Sequence, residues 1–504
     1  MGSRTSKAMK GTATSFLQYG VQIILQIALA PIVLKVAGQE TLGAYAIIMQ
    51  IVGLGILLDL GFSVALSRYL SQAFGINDNG ASFREVFTLG RYFLLVSNFI
   101  FGLLIFVLAI NISDVISAND SVLSQARLAL YCLAAWTIVR TPILIYQQAL
   151  IATQNMASVN LVAIFGNASR LTLSLVLVYS GLGLVGLILA IICSELFVFL
   201  LGMRIFNKLY PGYKSSWKVF NLEKLKDIVG FGLRYSGVNV AVIMSMGVDL
   251  IVVGTLYGAA AASVYYITKM PAFLALQLIF KLSDNAGPAA NELIAKGNFE
   301  ALRNAYIKLL RYSMLLALPV AVGIIGLNEF LISTWVGHQQ YAGIIMTVAL
   351  ASLVISQTVN HINAMITVAS GNMHWWSTMS IISAALTLIL AYGAGKEWGI
   401  QFIMVMIAVM DLPILVFLFY RSLNSLNLSS YNLWSEIFLP CIAATVPLVV
   451  LITCFNWLNP KFSWLNLILI VVSLAIIWLI STYTIGLKPN ERKILKLKCL
   501  NYLS

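Results

Sequence analysis

The chain has 504 residues, 60% of them hydrophobic and 10% charged, with a formal net charge of +13. Its mean hydropathy is +0.92. A soluble domain carries about 25% charged residues, so this composition excludes a soluble globular protein and indicates an all-α polytopic membrane protein.

Arg4, Lys7 and Lys10 precede the first apolar run. That run continues past Pro31 to Val36 without a clear small-residue cleavage site, so it reads as a membrane span and not as a cleavable signal. Hydropathy and helix breakers then predict about fourteen spans. The first is Thr12–Val36 and the second Leu42–Gln72. The third is Gly90–Ile110. The fourth, Ser124–Ile151, is expected to break near Arg140-Thr141-Pro142. The fifth is Val159–Tyr179 and the sixth Leu184–Arg204. A basic connector from Arg204 to Lys226 follows. The remaining spans are Ile228–Tyr257, Ala261–Asp284, Ile307–Leu327, Ala342–Ala369, Ser377–Ala394, Ile400–Tyr420, Ser435–Phe455 and Leu465–Leu487.

The second span is the most informative. It is read as one continuous helix that carries Asp59 near its middle and Arg68 near its end. An ionised side chain at the centre of a lone membrane helix costs roughly 3 kcal/mol. Asp59 therefore belongs either to a buried structural ion pair or to a helix that lines a route for a polar solute.

Lys and Arg set the orientation. With the N-terminus inside, inner connectors and tails carry 18 of the 31 basic residues and outer connectors 2. This bias predicts cytoplasmic termini and accounts for the basic charge without nucleic acid. The five cysteines (Cys132, Cys193, Cys441, Cys454 and Cys499) form no CxxC and read as buried thiols. His338, His361 and His374 are too scattered for a metal triad. No Walker A, Rossmann or hydrolase-elbow motif is present. No catalytic residue, metal ligand or cofactor is expected. Energy would come from an ion gradient, the substrate gradient or a partner.

A parallel repeat is legible at offsets of 216 to 220 positions. Tyr19 answers Tyr235 and Tyr45 answers Tyr265. Arg91-Tyr92 returns as Arg311-Tyr312. Ala152-x-x-Asn155-Met156 returns as Ala369-x-x-Asn372-Met373, and Glu195 answers Asp411. The expected domains are a six-helix bundle at 1–206, a cytoplasmic connector at 207–226, a second bundle at 227–424, and two further helices with a basic tail at 425–504. Parallel repeats of this kind are a transporter architecture.

Gly43-x-Tyr45 entering the second span, Asp59-Leu60-Gly61, Arg68, the Pro142-containing fourth span ending in Ala152-Thr153-Gln154-Asn155, and Pro288 after the eighth span carry a family resemblance. With about fourteen spans, the chain resembles bacterial polysaccharide transporters of the O-antigen flippase type. These belong to the MOP superfamily with the MATE exporters and lipid II flippases. The resemblance implies two bundles in a V and alternating access. Its cargo would be an undecaprenyl-diphosphate-linked oligosaccharide, whose sugar head enters a cavity while the polyprenyl tail stays in lipid. It also implies the bacterial inner membrane, and a polysaccharide polymerase and chain-length regulator as pathway partners. The alternatives are a MATE-type multidrug exporter, a lipid II flippase, and a glycan ligase or polymerase. The last of these is disfavoured because no long polar outer loop is present.

An anionic diphosphate calls for cations, above all the planar guanidinium. The candidates are Arg68, Arg140, Arg170, Arg234, Lys269 and Lys281. Arg170 sits mid-span, with Glu195 of the next span as its expected partner if it is paired. Arg140 is either a ligand or a brace at a kink. Among the acids, Asp59 and Asp249 are candidates to couple transport to H⁺ or Na⁺. Tyr19, Tyr235, Tyr265 and Asn239 are sugar-contact candidates. Gln357, Asn360 and Asn363 either bind sugar hydroxyls or join helices.

Overall fold

The computed structural model describes residues 2–59, 61–76, 78–213, 221–233, 247–284, 286, 290, 293–294, 296–369 and 374–493. Among the described residues there is no strand, and eleven helices are long and apolar enough to cross a membrane. The protein is an all-α, multi-pass membrane protein. Its helices expose large apolar side chains such as Leu469, Val472 and Ile480, which a water-soluble surface does not tolerate in such density. The chain divides into two compact units, Met1–Ser263 and Val264–Ser504.

The first unit opens with α1 (Gly2–Ala37), which turns at Gly38, φ +89°. The second predicted span is not one helix. It splits into α2 (Gln39–Gly53), a short 3-10 turn at Leu54–Leu57, and α3 (Phe62–Phe74). Gly61 at φ +69° makes the break, and the Asp59 carboxylate then receives the first turn of α3. Ser63 N donates to Asp59 Oδ2 at 3.1 Å and Ser63 Oγ to Oδ1 at 2.9 Å. The orphan donors of a helix start attract a carboxylate, so Asp59 belongs to the break itself.

Next come α4 (Ala81–Ile110), α5 (Asp120–Val139) and α6 (Thr141–Ala152). The fourth predicted span breaks between α5 and α6 as its sequence indicates. The fifth and sixth spans appear as α7 (Met156–Leu177) and α8 (Gly183–Leu209), separated by Gly181 at φ +84° and Gly183 at φ +48°. Phe62, Leu66, Phe83, Phe87 and Phe206 form a fully buried cluster that ties α3, α4 and α8 together. The middle of the seventh predicted span, residues 234–246, lies outside those described, and its last part opens the next helix. The eighth lies within α9 (Asp249–Asp284), whose backbone turns at Gly258, φ +80°.

Gly43 lets α2 approach the start of α9. A Cβ at Gly43 would stand 1.7 Å from the Ala259 carbonyl oxygen, whereas one at Gly20 would meet nothing within 4 Å. Gly43→Ala is therefore expected to destabilise by about 1–3 kcal/mol while Gly20→Ala leaves the thermal midpoint unchanged. Heating the detergent-purified chain and following its monodispersity checks both.

The second unit continues with α10 (Phe299–Trp335), capped by Asn298 Oδ1 on Ala301 N, then α11 (Ile344–Ala369), α12 (His374–Trp398) and α13 (Ile400–Ser425). Gly399, φ +109°, turns α12 into α13. The positive-φ glycines repeat in chain order: Gly38 with Gly258, Gly80 with Gly297, and Gly183 with Gly399, at offsets of 220, 217 and 216.

The last two helices, α14 (Leu439–Trp457) and α15 (Trp464–Ser481), are built into this unit. Cys441 and Ala444 share its buried core with Leu310 and Met314. Pro319 lies inside α10. With no N–H it frees the carbonyl four residues earlier, that of Leu315. Trp478 Nε1 donates to that carbonyl at 2.8 Å. Below it, Arg311, 1% exposed, pairs with Glu491, whose other oxygen caps Lys488 N at 2.9 Å. In a membrane such freed groups need a protein partner. Trp478→Phe keeps an aromatic side chain, smaller than the indole, and removes the donor. It is expected to lower the thermal midpoint by an amount equivalent to about 1–3 kcal/mol, measurable in the same melting experiment.

Candidate functional site

Two arrangements of charge stand inside the spans, and both come from the repeat. In the first half, α5 faces α8. Trp136 Nε1 donates to Glu195 Oε2 at 2.6 Å, and Arg140 Nη1 lies 3.9 Å from Glu195 Oε1. In the second half, α11 faces α13. Ser356 Oγ, Gln357 Nε2 and Asn360 Nδ2 all donate to Asp411, the latter two at 2.7 and 3.0 Å. Glu195 and Asp411 correspond at an offset of 216. In the first half the acid meets an indole and a guanidinium; in the second it meets a hydroxyl and two amides.

Glu195 is therefore the partner of Arg140, not of Arg170. The sequence expectation fails because the break between α5 and α6 puts Arg140 at a helix junction, where its side chain reaches α8. Arg170 on α7 turns instead to α2, and its Nη2 donates to Tyr45 Oη at 2.5 Å. Tyr45 is 5% exposed. The Arg170 Nε is buried without an acceptor. Among the described residues no carboxylate stands within ion-pair distance of Arg170. Mid-span and half-buried, this guanidinium is thus held by a neutral phenol.

The other candidates sit differently. Arg68 is exposed, with Cζ 4.4 Å over the Phe231 ring. Lys269 is 8% exposed, its Nζ 4.5 Å from the Phe273 ring. Lys281 Nζ lies 3.6 Å from Asp284, which also accepts a 2.8 Å contact from His361 Nε2. Asp249 is 2% exposed and accepts from Gln50 Nε2 at 2.6 Å, while Gln50 Oε1 accepts from Ile251 N. Asp249 and Gln50 thus tie α2 to the start of α9. Tyr19 is half-buried on α1 and Tyr265 fully buried on α9. Arg234, Tyr235 and Asn239 lie outside the described residues. Gln357 and Asn360 join helices through Asp411, and Asn363 accepts from Tyr306 Oη at 2.7 Å. The sequence marks Asp411 as an acid within a span and as the echo of Glu195. Ser356, Gln357 and Asn360 fall on one face of a helix, and that spacing was the available signal.

Among solved structures, the chain matches a lipid II flippase, MurJ, in an inward closed conformation, at 14% identity over 94% of this chain and 97% of that one, with a TM-score of 0.68. It matches an inward-facing multidrug resistance MATE family transporter at 18% identity over 80% of this chain and 94% of that one, TM-score 0.65. The chain therefore shares the fold of these two proteins. The sequence profile of the polysaccharide biosynthesis protein family matches residues 36–346. The chain belongs to that family. The teichuronic acid biosynthesis protein TuaB of Bacillus subtilis (strain 168) is 22% identical over 231 residues, 44% of this chain and 46% of that protein. The match thus spans about half the length of that relative.

The Arg140–Glu195 contact is open to a double-mutant cycle with Arg140→Asn and Glu195→Gln. The pair is half-buried, and a coupling of about 1 kcal/mol is expected between the two substitutions. Thermal unfolding of the four chains measures it.

Proposed function

We propose that this protein is a flippase. It carries an undecaprenyl-diphosphate-linked oligosaccharide repeat unit from the inner to the outer leaflet of the cytoplasmic membrane by alternating access. The product feeds O-antigen or capsular polysaccharide assembly, and the protein is a transporter, not an enzyme. Family membership, the relative named for teichuronic acid biosynthesis and the lipid II flippase fold support this reading. The bias of basic residues, 18 inner against 2 outer, supports cytoplasmic termini.

The observation that carries the reading is Arg170. A cation kept inside a span with no carboxylate partner among the described residues suits an anionic cargo whose phosphate oxygens match its donor fork. A cationic drug would be repelled by it. Lys281, Lys269, Arg68 and Arg140 are further phosphate candidates on this reading, with Arg234 alongside them. A polymerase and a chain-length regulator would take the delivered unit at the outer face.

A strain lacking the protein is expected to accumulate lipid-linked repeat units on the cytoplasmic side. Arg170→Ala, restored to that strain, is expected to lower outer-leaflet delivery at least about tenfold, with Arg170→Lys retaining part of it. Outer-leaflet labelling of the lipid-linked sugar reads both. Undiminished delivery in the deletion strain would overturn the reading. Full delivery by Arg170→Ala would remove Arg170 from it.

A further inference from the structure

A groove between α12 and α13 plays no part in the arrangements described above. Its volume is about 640 Å³, and Met379 of α12 lines it together with Val409, Pro413, Val416, Phe417 and Tyr420 of α13. None of its lining residues carries a charge. Val416 is 67% and Tyr420 65% exposed, so the groove opens to the surroundings of the helices and not to their core. Pro413 shapes it. Without an N–H, Pro413 leaves the Val409 carbonyl outside the helix ladder. Ser383 of α12 donates to the neighbouring Met410 carbonyl at 2.8 Å and so pins the two helices where the groove begins.

Length and charge decide what fits. From Val409 to Tyr420 the helix rises roughly 16 Å, at about 1.5 Å per residue. That is about half of a hydrocarbon core of about 30 Å, the depth of one leaflet. Arg421 follows Tyr420 directly. Its Cζ lies 5.9 Å from the centre of the Phe417 ring, a wall of the groove one turn earlier. The Arg421 side chain is half-buried, and among the described residues it has neither an ion pair nor a hydrogen bond. Asp411, on the same helix, is turned to α11 and held there. A guanidinium with its donor fork free is matched by phosphate oxygens. On the orientation that the basic residues favour, Arg421 stands at the level of the inner-leaflet headgroups.

We infer that this groove seats one glycerophospholipid of the inner leaflet with an anionic headgroup. One acyl chain lies along residues 409–420, and the phosphate meets Arg421. An apolar channel one leaflet deep with a single free cation at its mouth has the shape and charge of such a lipid. The polyprenyl tail of the proposed cargo is the competing occupant, and it is far longer than the groove. A seated lipid lies against Pro413, so the composition of the inner leaflet bears on the helix at its proline. The inference needs only a membrane lipid and does not depend on the flippase reading.

The test uses the full-length chain, purified and stripped of lipid. It is offered dioleoyl phosphatidylglycerol or dioleoyl phosphatidylcholine, which share their acyl chains, and the lipids retained are counted by native mass spectrometry. Wild type is expected to retain one phosphatidylglycerol in preference to phosphatidylcholine. Arg421→Gln lowers that preference about tenfold, and Arg421→Lys keeps part of it. Val416→Trp fills the groove, leaves Arg421 in place and loses the tightly held lipid. Lys493→Gln removes an equal charge from the C-terminal segment and leaves the preference unchanged. The same preference in wild type and Arg421→Gln would overturn the inference. So would an equal loss in Lys493→Gln, which would make the attraction one of general charge, or full retention by Val416→Trp. Undecaprenyl phosphate held more tightly than phosphatidylglycerol by wild type, and lost in Val416→Trp, would give the groove to the polyprenyl tail and overturn it too.

Discussion

A charge inside a hydrocarbon layer needs a partner of opposite sign, and this requirement organises the whole chain. Among the described residues several charges meet it locally. Arg140 meets Glu195, Lys281 meets Asp284, and the buried Arg311 meets Glu491. Others are held by neutral groups: Arg170 by a phenol, Asp59 by the start of α3, and Asp411 by a hydroxyl and two amides.

The same demand for internal satisfaction governs the backbone. Pro319 frees a carbonyl in α10, and Trp478 from α15 supplies the missing donor. The break between α2 and α3 leaves a helix start inside the predicted span, and Asp59 and Ser63 close it. Gly43 allows α2 to lie against the Ala259 carbonyl. In water these would be small adjustments. In lipid each one decides whether a bent helix can exist at all. Bent helices next to stored charge are also what a transporter requires if it is to change shape while holding cargo.

Much of this was legible in the sequence, for stated reasons. Spans follow from hydropathy because lipid imposes length and apolarity on each one. The fourth span shows its break because Pro142 interrupts a run that is otherwise uniform. The second span hid its break because Gly53, Gly55 and Gly61 do not lower its apolar character. Tyr45 lies 125 positions from Arg170, and no local pattern joins them. Hence Glu195, the nearest acid along the chain, was the wrong partner. The repeat was visible as scattered matches. The contacts were needed to show that its matched acids, Glu195 and Asp411, each take donors from the helix packed against them.

The account turns on Arg170 holding the phosphate of the cargo lipid. Native mass spectrometry of the purified full-length chain with undecaprenyl diphosphate, and with undecaprenol as the uncharged control, tests this directly. Wild type should retain the diphosphate lipid in preference to the alcohol, and Arg170→Gln should lose that preference while binding the alcohol unchanged. Equal retention of the diphosphate lipid by wild type and Arg170→Gln would contradict the account.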